Sequence, residues 1–398
     1  MFEYFPGNYV WNLSLNLALS MGAVVDEVDE ACRPLLTSVP EEASTEQFFE
    51  SWCGVAQRLA GLADADAAAG RGYSAAARYR RAAVYFLTAE RMQKHGYAPR
   101  VQAYKSGLDC FRKAVTLGEE NCEFVEVPYK DAQGDRSLPG LLVKARTGGR
   151  SPFVVFFNGL DSTKEMVYGT GIAQELARRG VSTLIIDQPG SGESLRLRSM
   201  TGFAESERYG TACVDYLETR ADCDPARIGV AAWSLGGYYA PRAAAFETRF
   251  SLCVAWGAIY EWAELQRRRL QQDNPHAAEK SVPHFVEHLL WVFGKDSADD
   301  FLEFADTMSL VEVSDRIRVP FLVLHGVNDR QIPVDMAQKQ YDAAVNSPRR
   351  ELKIMTEKDG GVEHVAADNI SPTTSYIADW IADVYGTAPG AALISSAA

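Results

Sequence analysis

The sequence predicts an α/β fold: a mostly parallel eight-stranded sheet with helices on both faces, preceded by an N-terminal helical domain. Three observations point there. Up to about residue 120, apolar residues recur at three- and four-residue spacing with almost no β-branched alternation. From Cys122 onward, short β-rich runs bounded by turn residues take over. The first two runs look antiparallel and the later ones alternate with helical patterns, which is the order that builds a parallel sheet covered on both faces.

In the helical part, Ser44-Thr45-Glu46-Gln47 forms a capping-box pattern ahead of Phe48, Phe49 and Trp52. A second helix is expected over Tyr73–His95, with a stripe of Tyr79, Ala82, Ala83, Phe86, Leu87 and Glu90, stopped by Gly96. A third runs from about Arg100 to Leu117 and ends at Gly118. No repeat at a fixed period supports a tetratricopeptide-like array. The β-rich runs are Cys122–Tyr129, Leu141–Ala145, Phe153–Phe157, Val181–Ile186, Ile228–Ala232, Leu252–Trp256, Val319–Leu324 and Leu352–Met355. A long helical stretch at about 258–316 interrupts the alternation. The expected division is a helical cap or lid at 1–120, a core at 121–388 containing that insertion, and a frayed tail at 389–398.

Composition narrows the functional classes. A net charge of −13 with no long Lys/Arg run leaves no electrostatic footprint for nucleic acid or anionic lipid. Seven scattered cysteines (Cys32, Cys53, Cys110, Cys122, Cys213, Cys223 and Cys253) form no C-x-x-C pair and suit a reducing cytosol. The N-terminus lacks a basic n-region, and Asn12, Ser14, Asn16 and Ser20 break its apolar stretch. A soluble cytoplasmic protein acting on a small molecule is expected.

Chemistry concentrates at strand ends. Ile228–Gly237 reads I-G-V-A-A-W-S-L-G-G: a β-rich run, a tight turn at Ser234 and the start of a helix. This is a nucleophile-elbow pattern, in which a sharp turn lifts the hydroxyl off the sheet and small neighbours let the strand and helix backbones pass beside it. Ala232 stands where the pattern usually has its first glycine, and Gly236 supplies the second small position. A serine in an ordinary small-residue turn is the competing reading. Val319–Pro333 reads V-P-F-L-V-L-H-G-V-N-D-R-Q-I-P and places Asp329 in the loop after a buried strand. A carboxylate held there orients a histidine and stabilises its imidazolium, although N-D dipeptides also favour plain turns. Leu352–His364 reads L-K-I-M-T-E-K-D-G-G-V-E-H and places His364 after the last strand. Ser234, Asp329 and His364 thus follow the chain order of a strand-end triad. His325 is read as a strand-end hydrogen-bonding histidine, and His95 as a cation at a helix C-terminus.

Acyl transfer also needs amide donors aimed at the developing oxyanion. Leu235 supplies one. In Phe153–Glu165, F-V-V-F-F-N-G-L-D-S-T-K-E, the Asn158-Gly159 turn offers either the Leu160 amide or that of Gly159 as the other. Asp187–Glu193, D-Q-P-G-S-G-E, lacks the G-K-[ST] ending of a phosphate loop and is assigned to structure. His284–His288 matches the H-x-x-E-H zinc pattern, but no partner carboxylate is evident, and solvent-facing or packing histidines are the preferred reading.

Together, N-G-L-D-S-T-K-E, D-Q-P-G-S-G-E, W-S-L-G-G-Y-Y-A, H-G-V-N-D and E-K-D-G-G-V-E-H make the chain resemble the FrsA-like α/β-hydrolases, a family that includes 2,6-dihydroxypseudooxynicotine hydrolase and fungal polyketide-shortening hydrolases. The resemblance covers about Cys122 to Tyr385 and extends more loosely to the helices before it. It implies an α/β-hydrolase fold, a homodimer, and hydrolysis of a carbon–carbon bond beside a carbonyl in an aromatic or polyketide-derived molecule, with neither metal nor organic cofactor. Ester or amide hydrolysis and acyl transfer would use the same triad. Tyr79, Tyr85, Trp256, Tyr260 and Trp262 are candidates to line a slot for a flat substrate, with core packing as the alternative for each. Glu264, with Glu261, is a candidate to face substrate or histidine, with a solvent-facing helix as the alternative. The helical domain is expected to close over the site, because a carbanion leaving group benefits from a dry enclosure.

Overall fold

The computed structural model describes residues 1–36, 45–270 and 280–387. Ser44 of the capping box and the expected tail lie outside the described residues. The chain forms two compact units, Met1–Cys122 with Pro275–Trp291, and Glu123–Asn274 with Val292–Ala398.

The helical unit contains α1 (Tyr9–Ser20), α2 (Val25–Cys32), α3 (Thr45–Ala68), α4 (Gly72–Arg91) and α5 (Pro99–Leu117). The side chain of Asn8 caps α1 by accepting the Trp11 amide hydrogen. Within α3 Trp52 stacks on Phe48 with ring centroids 5.3 Å apart, and across to α4 it meets Tyr85 edge-on at 5.7 Å. Helix α4 ends at Arg91, ahead of the expected His95, because Met92 leaves helical geometry. His95 therefore stands in the following loop, not beside a helix C-terminus, with its ring stacked on Trp291 at 4.6 Å.

That stack marks a second departure from expectation. The stretch at 258–316 is not one insertion in the core, since its Pro275–Trp291 part belongs to the helical unit. The physical reason is a set of specific contacts: Arg91 donates to the Ser281 carbonyl at 2.8 Å, and the Arg100 guanidinium lies 4.5 Å over the Trp291 ring.

In the other unit, eight strands among the described residues form one sheet in the order β1-β2-β4-β3-β5-β6-β7-β8. They are β1 (Glu123–Asp131), β2 (Gly134–Val143), β3 (Ser151–Phe157), β4 (Ser182–Ile186), β5 (Cys223–Trp233), β6 (Phe250–Trp256), β7 (Phe321–Gly326) and β8 (Arg350–Met355). β2 pairs antiparallel with both β1 and β4, and the remaining pairs are parallel. β3 is buried along its whole length, which is why it reads as a continuous apolar run instead of an alternation. The helices of this unit are α6 (Lys164–Gly169), α7 (Ile172–Arg178), α8 (Gly192–Arg196), α9 (Glu207–Glu218), α10 (Gly236–Phe246), α11 (Trp262–Leu270), α13 (Ala298–Asp306), α14 (Val334–Ala343) and α15 (Ile370–Tyr385), while α12 (Phe285–Phe293) falls mostly in the helical unit.

The chain moves from β3 to β4 on one side, then crosses to β5 on the other. The loops leaving β3 and β5 diverge at that reversal, and the crevice they leave at the carboxyl ends of the strands is where open α/β sheets hold ligands. Among the described residues, no helix is long and apolar enough to cross a membrane.

Candidate active site

β5 delivers Ser234 into the turn before α10 with a left-handed backbone, φ +57°. For a residue with a Cβ that geometry is strained, and such strain persists only where neighbours hold it. Here the Ser234 amide donates to the Trp256 carbonyl at 2.8 Å, and the Ser234 carbonyl accepts from Gly237 at 2.7 Å. Space explains the small residues on either side. A Cβ on Gly236 would lie 2.5 Å from the Ala232 Cβ, so alanine is tolerated at 232 because 236 has no side chain.

The Ser234 hydroxyl stands 2.8 Å from His364 Nε2. On the far side of that ring, Nδ1 lies 2.8 Å from Oδ2 and 3.0 Å from Oδ1 of Asp329. Each residue comes from a different strand end, Ser234 from β5, Asp329 from the β7 loop and His364 from the turn after β8. The His364 turn is tied down by Asp368, which accepts the amides of Val362 and Glu363 at 3.1 and 2.9 Å. Asp329 is fixed by the amides of Gln331 and Ile332, at 2.8 and 2.9 Å from Oδ1. Burial would raise its carboxyl, but the imidazole of His364, with His325 and the Ile332 amide, holds it below the usual carboxylate range. Burial pushes the Glu363 carboxyl up, against the opposing pull of Arg330 3.5 Å away.

His325 is fully buried at the end of β7. Its Nδ1 accepts the Ala258 amide at 3.1 Å and its Nε2 faces the Ile332 carbonyl at 2.9 Å, which defines a neutral ring protonated on Nε2. Burial lowers its pKa accordingly.

The two alternatives for the second oxyanion donor separate here. The Gly159 amide donates to Ser162 Oγ at 2.9 Å, so Gly159 is corrected from donor candidate to packing partner: a Cβ there would meet the Ser234 Cβ at 2.9 Å. Among the described residues, the amides of Leu160 and Leu235 have no acceptor.

Sequence reasoning missed the polar cluster behind this loop. Asp187 is fully buried and accepts four donors: the Lys164 amide at 2.7 Å, Lys164 Nζ at 2.9 Å, the Glu193 amide at 2.8 Å and Asn158 Nδ2 at 3.0 Å. Gln188 exchanges two hydrogen bonds with the Asn158 backbone, each of 3.0 Å. The N-G-L-D-S-T-K-E and D-Q-P-G-S-G-E segments are therefore one interlocked structure. The signal available was that a lysine and an aspartate sat at two strand ends next to the elbow.

The remaining candidates are placed elsewhere. Tyr79 bonds Asp64 and carries Lys113 over its ring at 5.0 Å, while Tyr85 bonds Glu27 at 2.7 Å; both are accounted for inside the helical unit without a ligand. Glu264 pairs with Arg268 and, at 3.5 Å, with Lys339, which accounts for it as a surface carboxylate. Trp256 is buried at the end of β6, 5.7 Å from the Trp233 ring. Trp262 packs on Phe293 and Phe301, at 5.1 and 5.2 Å. In the zinc-like segment, His284 precedes α12 with φ +50° and lies 3.4 Å from the Thr45 hydroxyl, whereas His288 packs on Trp291 at 5.7 Å. His284 is the residue before the first turn of α12, its carbonyl accepting the His288 amide at 2.9 Å, and its left-handed backbone takes it out of the regular helical spacing the pattern implied.

A parallel sheet with a serine at its central strand end, faced by an imidazole and a carboxylate from later strand ends, defines a hydrolase of the α/β class. Comparison with known proteins agrees. The profile of the Alpha/beta hydrolase family matches residues 154–369, and the chain belongs to that family. It is 31% identical over 288 residues to Hydrolase acrC of Aspergillus aculeatus, across 68% of this chain and 66% of that protein. It is 26% identical over 345 residues to the 2,6-dihydropseudooxynicotine hydrolase of Paenarthrobacter nicotinovorans, across 85% of this chain and 84% of that one. In fold it resembles the solved structure of 2,6-dihydroxy-pseudo-oxynicotine hydrolase, with a TM-score of 0.72 at 23% identity over 93% of this chain and 95% of that one.

Proposed function

We propose that the chain is a serine hydrolase that cleaves a carbon–carbon bond beside a carbonyl, in a β-diketone or acyl-phenol side chain of an aromatic or polyketide-derived molecule. The observation that carries the serine mechanism is the continuous relay from Ser234 through His364 to Asp329, with the acceptor-free amides of Leu160 and Leu235 beside it. In this reading His364 takes the Ser234 proton as Oγ adds to the ketone carbon, and the two amides receive the resulting oxyanion. Collapse breaks the carbon–carbon bond, and the carbanion, stabilised by a neighbouring carbonyl or electron-rich ring, takes the proton from the His364 imidazolium. Water, deprotonated by His364, then hydrolyses the acyl-enzyme and returns Ser234.

The choice of carbon–carbon over ester cleavage rests on similarity to the 2,6-dihydropseudooxynicotine hydrolase along most of both chains. Turnover of an aryl β-diketone, a p-nitrophenyl ester and the ester with an added acceptor alcohol separates the readings. Ester turnover alone, with the diketone untouched, removes the carbon–carbon assignment; capture by the alcohol in place of water makes the chain an acyltransferase.

A lid role for the helical domain, a homodimer and a cytoplasmic location belong to the same proposal and rest on the sequence argument. Hydrogen exchange tests the lid: an aryl trifluoromethyl ketone should protect peptides within residues 1–120, and unchanged exchange there sinks the idea. Light scattering tests the dimer, where a monomer mass is the contrary result. Fractionation of the source cells tests the location, where recovery outside the cytosol is the contrary result.

A further inference from the structure

Ser162 follows the oxyanion loop and is buried, with 3% of its surface exposed. All the hydrogen-bonding capacity of its hydroxyl is used: it donates to Asn158 Oδ1 at 3.0 Å and accepts from the Gly159 amide at 2.9 Å and from Trp233 Nε1 at 3.0 Å. Those partners lie on two different strand ends. Asn158 and Gly159 belong to the turn after β3, and Trp233 is the last residue of β5, directly before Ser234.

We propose that Ser162 is the positioning residue of the oxyanion hole, a single oxygen that sets the Leu160 amide at a fixed distance from the Leu235 amide. This inference rests on the reading of Ser234 as nucleophile. Leu160 sits inside the segment whose ends, Gly159 and Ser162, are joined by the first bond. Leu235 sits two residues beyond Trp233, which is held by the second. The joint is itself braced from behind, since Asn158 is bonded to Asp187 and Gln188 and cannot swing with the loop. Because Ser162 engages the Gly159 amide, that donor does not compete with Leu160 for the oxyanion. Preorganised donors of this kind act on the transition state more than on bound substrate, so their misplacement shows in kcat rather than KM.

The test uses the full chain with p-nitrophenyl butyrate as substrate, and a fluorophosphonate whose rate of attachment to Ser234 is followed by intact mass. Ser162→Ala should lower kcat and the phosphonylation rate together, by about 10- to 100-fold, with KM within about twofold of wild type. Trp233→Phe, which deletes one of the three bonds and keeps the ring beside Trp256, should give a smaller loss of the same kind. A folded Ser162→Ala variant with wild-type kcat and phosphonylation rate, changed only in thermal midpoint or in KM, overturns the proposal. If Ser162→Ala does not fold, Trp233→Phe decides, and unchanged kinetics there overturn it equally. Ser234→Ala separates the two levels of the argument: wild-type turnover in that variant overturns the nucleophile and this inference together. An inactive Ser234→Ala beside an unaffected Ser162→Ala overturns this inference alone.

Discussion

Asp329 Oδ2 lies 3.6 Å from Nε2 of His325 while it accepts its hydrogen bond from the other imidazole, that of His364. The carboxylate is thus faced by two rings of different standing, one able to take a proton in turnover and one held neutral by burial. The His325 pKa is below its ordinary value, so the unfolded chain binds its proton more readily than the folded one. Its contribution to stability is complete above about pH 6.5 and is lost as the pH falls below that value. Asp329, also lowered, adds a second loss that begins only below about pH 4. Thermal midpoints should therefore decline from about pH 6.5 to 5, and His325→Asn should flatten that slope. An equally steep decline in the variant shows that His325 is not its source.

Ser234→Ala should lower turnover by about a millionfold and leave the fold unchanged, since it removes one partly exposed oxygen. Asp329→Asn should cost about 10⁴-fold, because the amide no longer fixes the His364 tautomer. Steady-state kinetics with circular dichroism checks both, and an Asp329→Asn variant within tenfold of wild type would remove the carboxylate from the relay.

Lys164 and Glu165 are adjacent, both buried, and should respond to substitution very unequally. The ammonium of Lys164 faces Asp187, Glu165 and Glu193 at 2.9, 2.8 and 3.3 Å. Lys164→Met leaves Asp187 and Glu165 without their cation, while Glu193 keeps Arg198 at 2.8 Å, and should destabilise by about 3–5 kcal/mol. Burial raises the Glu165 carboxyl, and its Oε2 has no partner among the described residues, so Glu165→Gln should change stability by less than about 1 kcal/mol. Urea unfolding of the two variants measures the contrast; a Glu165→Gln loss as large as that of Lys164→Met contradicts it.

Chelation should leave turnover unchanged, because the His284 and His288 rings are directed at Thr45 and Trp291. Dialysis against EDTA followed by assay is sufficient, and activity lost there and restored by zinc would return the H-x-x-E-H segment to the mechanism.

All eight β-rich runs became strands because each is a short apolar run bounded by turn residues, a signal carried by local composition alone. That Ser234, Asp329 and His364 meet was legible for a related reason, since each follows such a run and a strand end is enough to bring them together. What could not be read was choice among equivalent neighbours. Gly159 and Leu160 both offer an amide in the same turn, and the selection is made by a hydroxyl three residues away from Gly159 whose direction depends on the tertiary fold. The aromatic candidates failed to separate for the opposite reason: Tyr79 and Tyr85 read the same in a helical pattern whether they pack a core or line a slot. Their hydroxyl partners, Asp64 and Glu27, lie outside the local pattern. Membership of the inserted segment was hidden as well, because Trp291 meets His95 and Arg100 only in three dimensions.

That last contact sets an order of events during biosynthesis. The loop after α4 emerges from the ribosome with the His95 ring exposed and the Arg91 guanidinium lacking its carbonyl partner, which lies 190 residues further along the chain. Translation must pass through the first six strands of the sheet before Ser281 and Trp291 arrive to complete the helical unit. Helices α1 to α5 are therefore synthesised long before the segment that completes their unit, and the final packing of the loop after α4 waits on chain that follows β6.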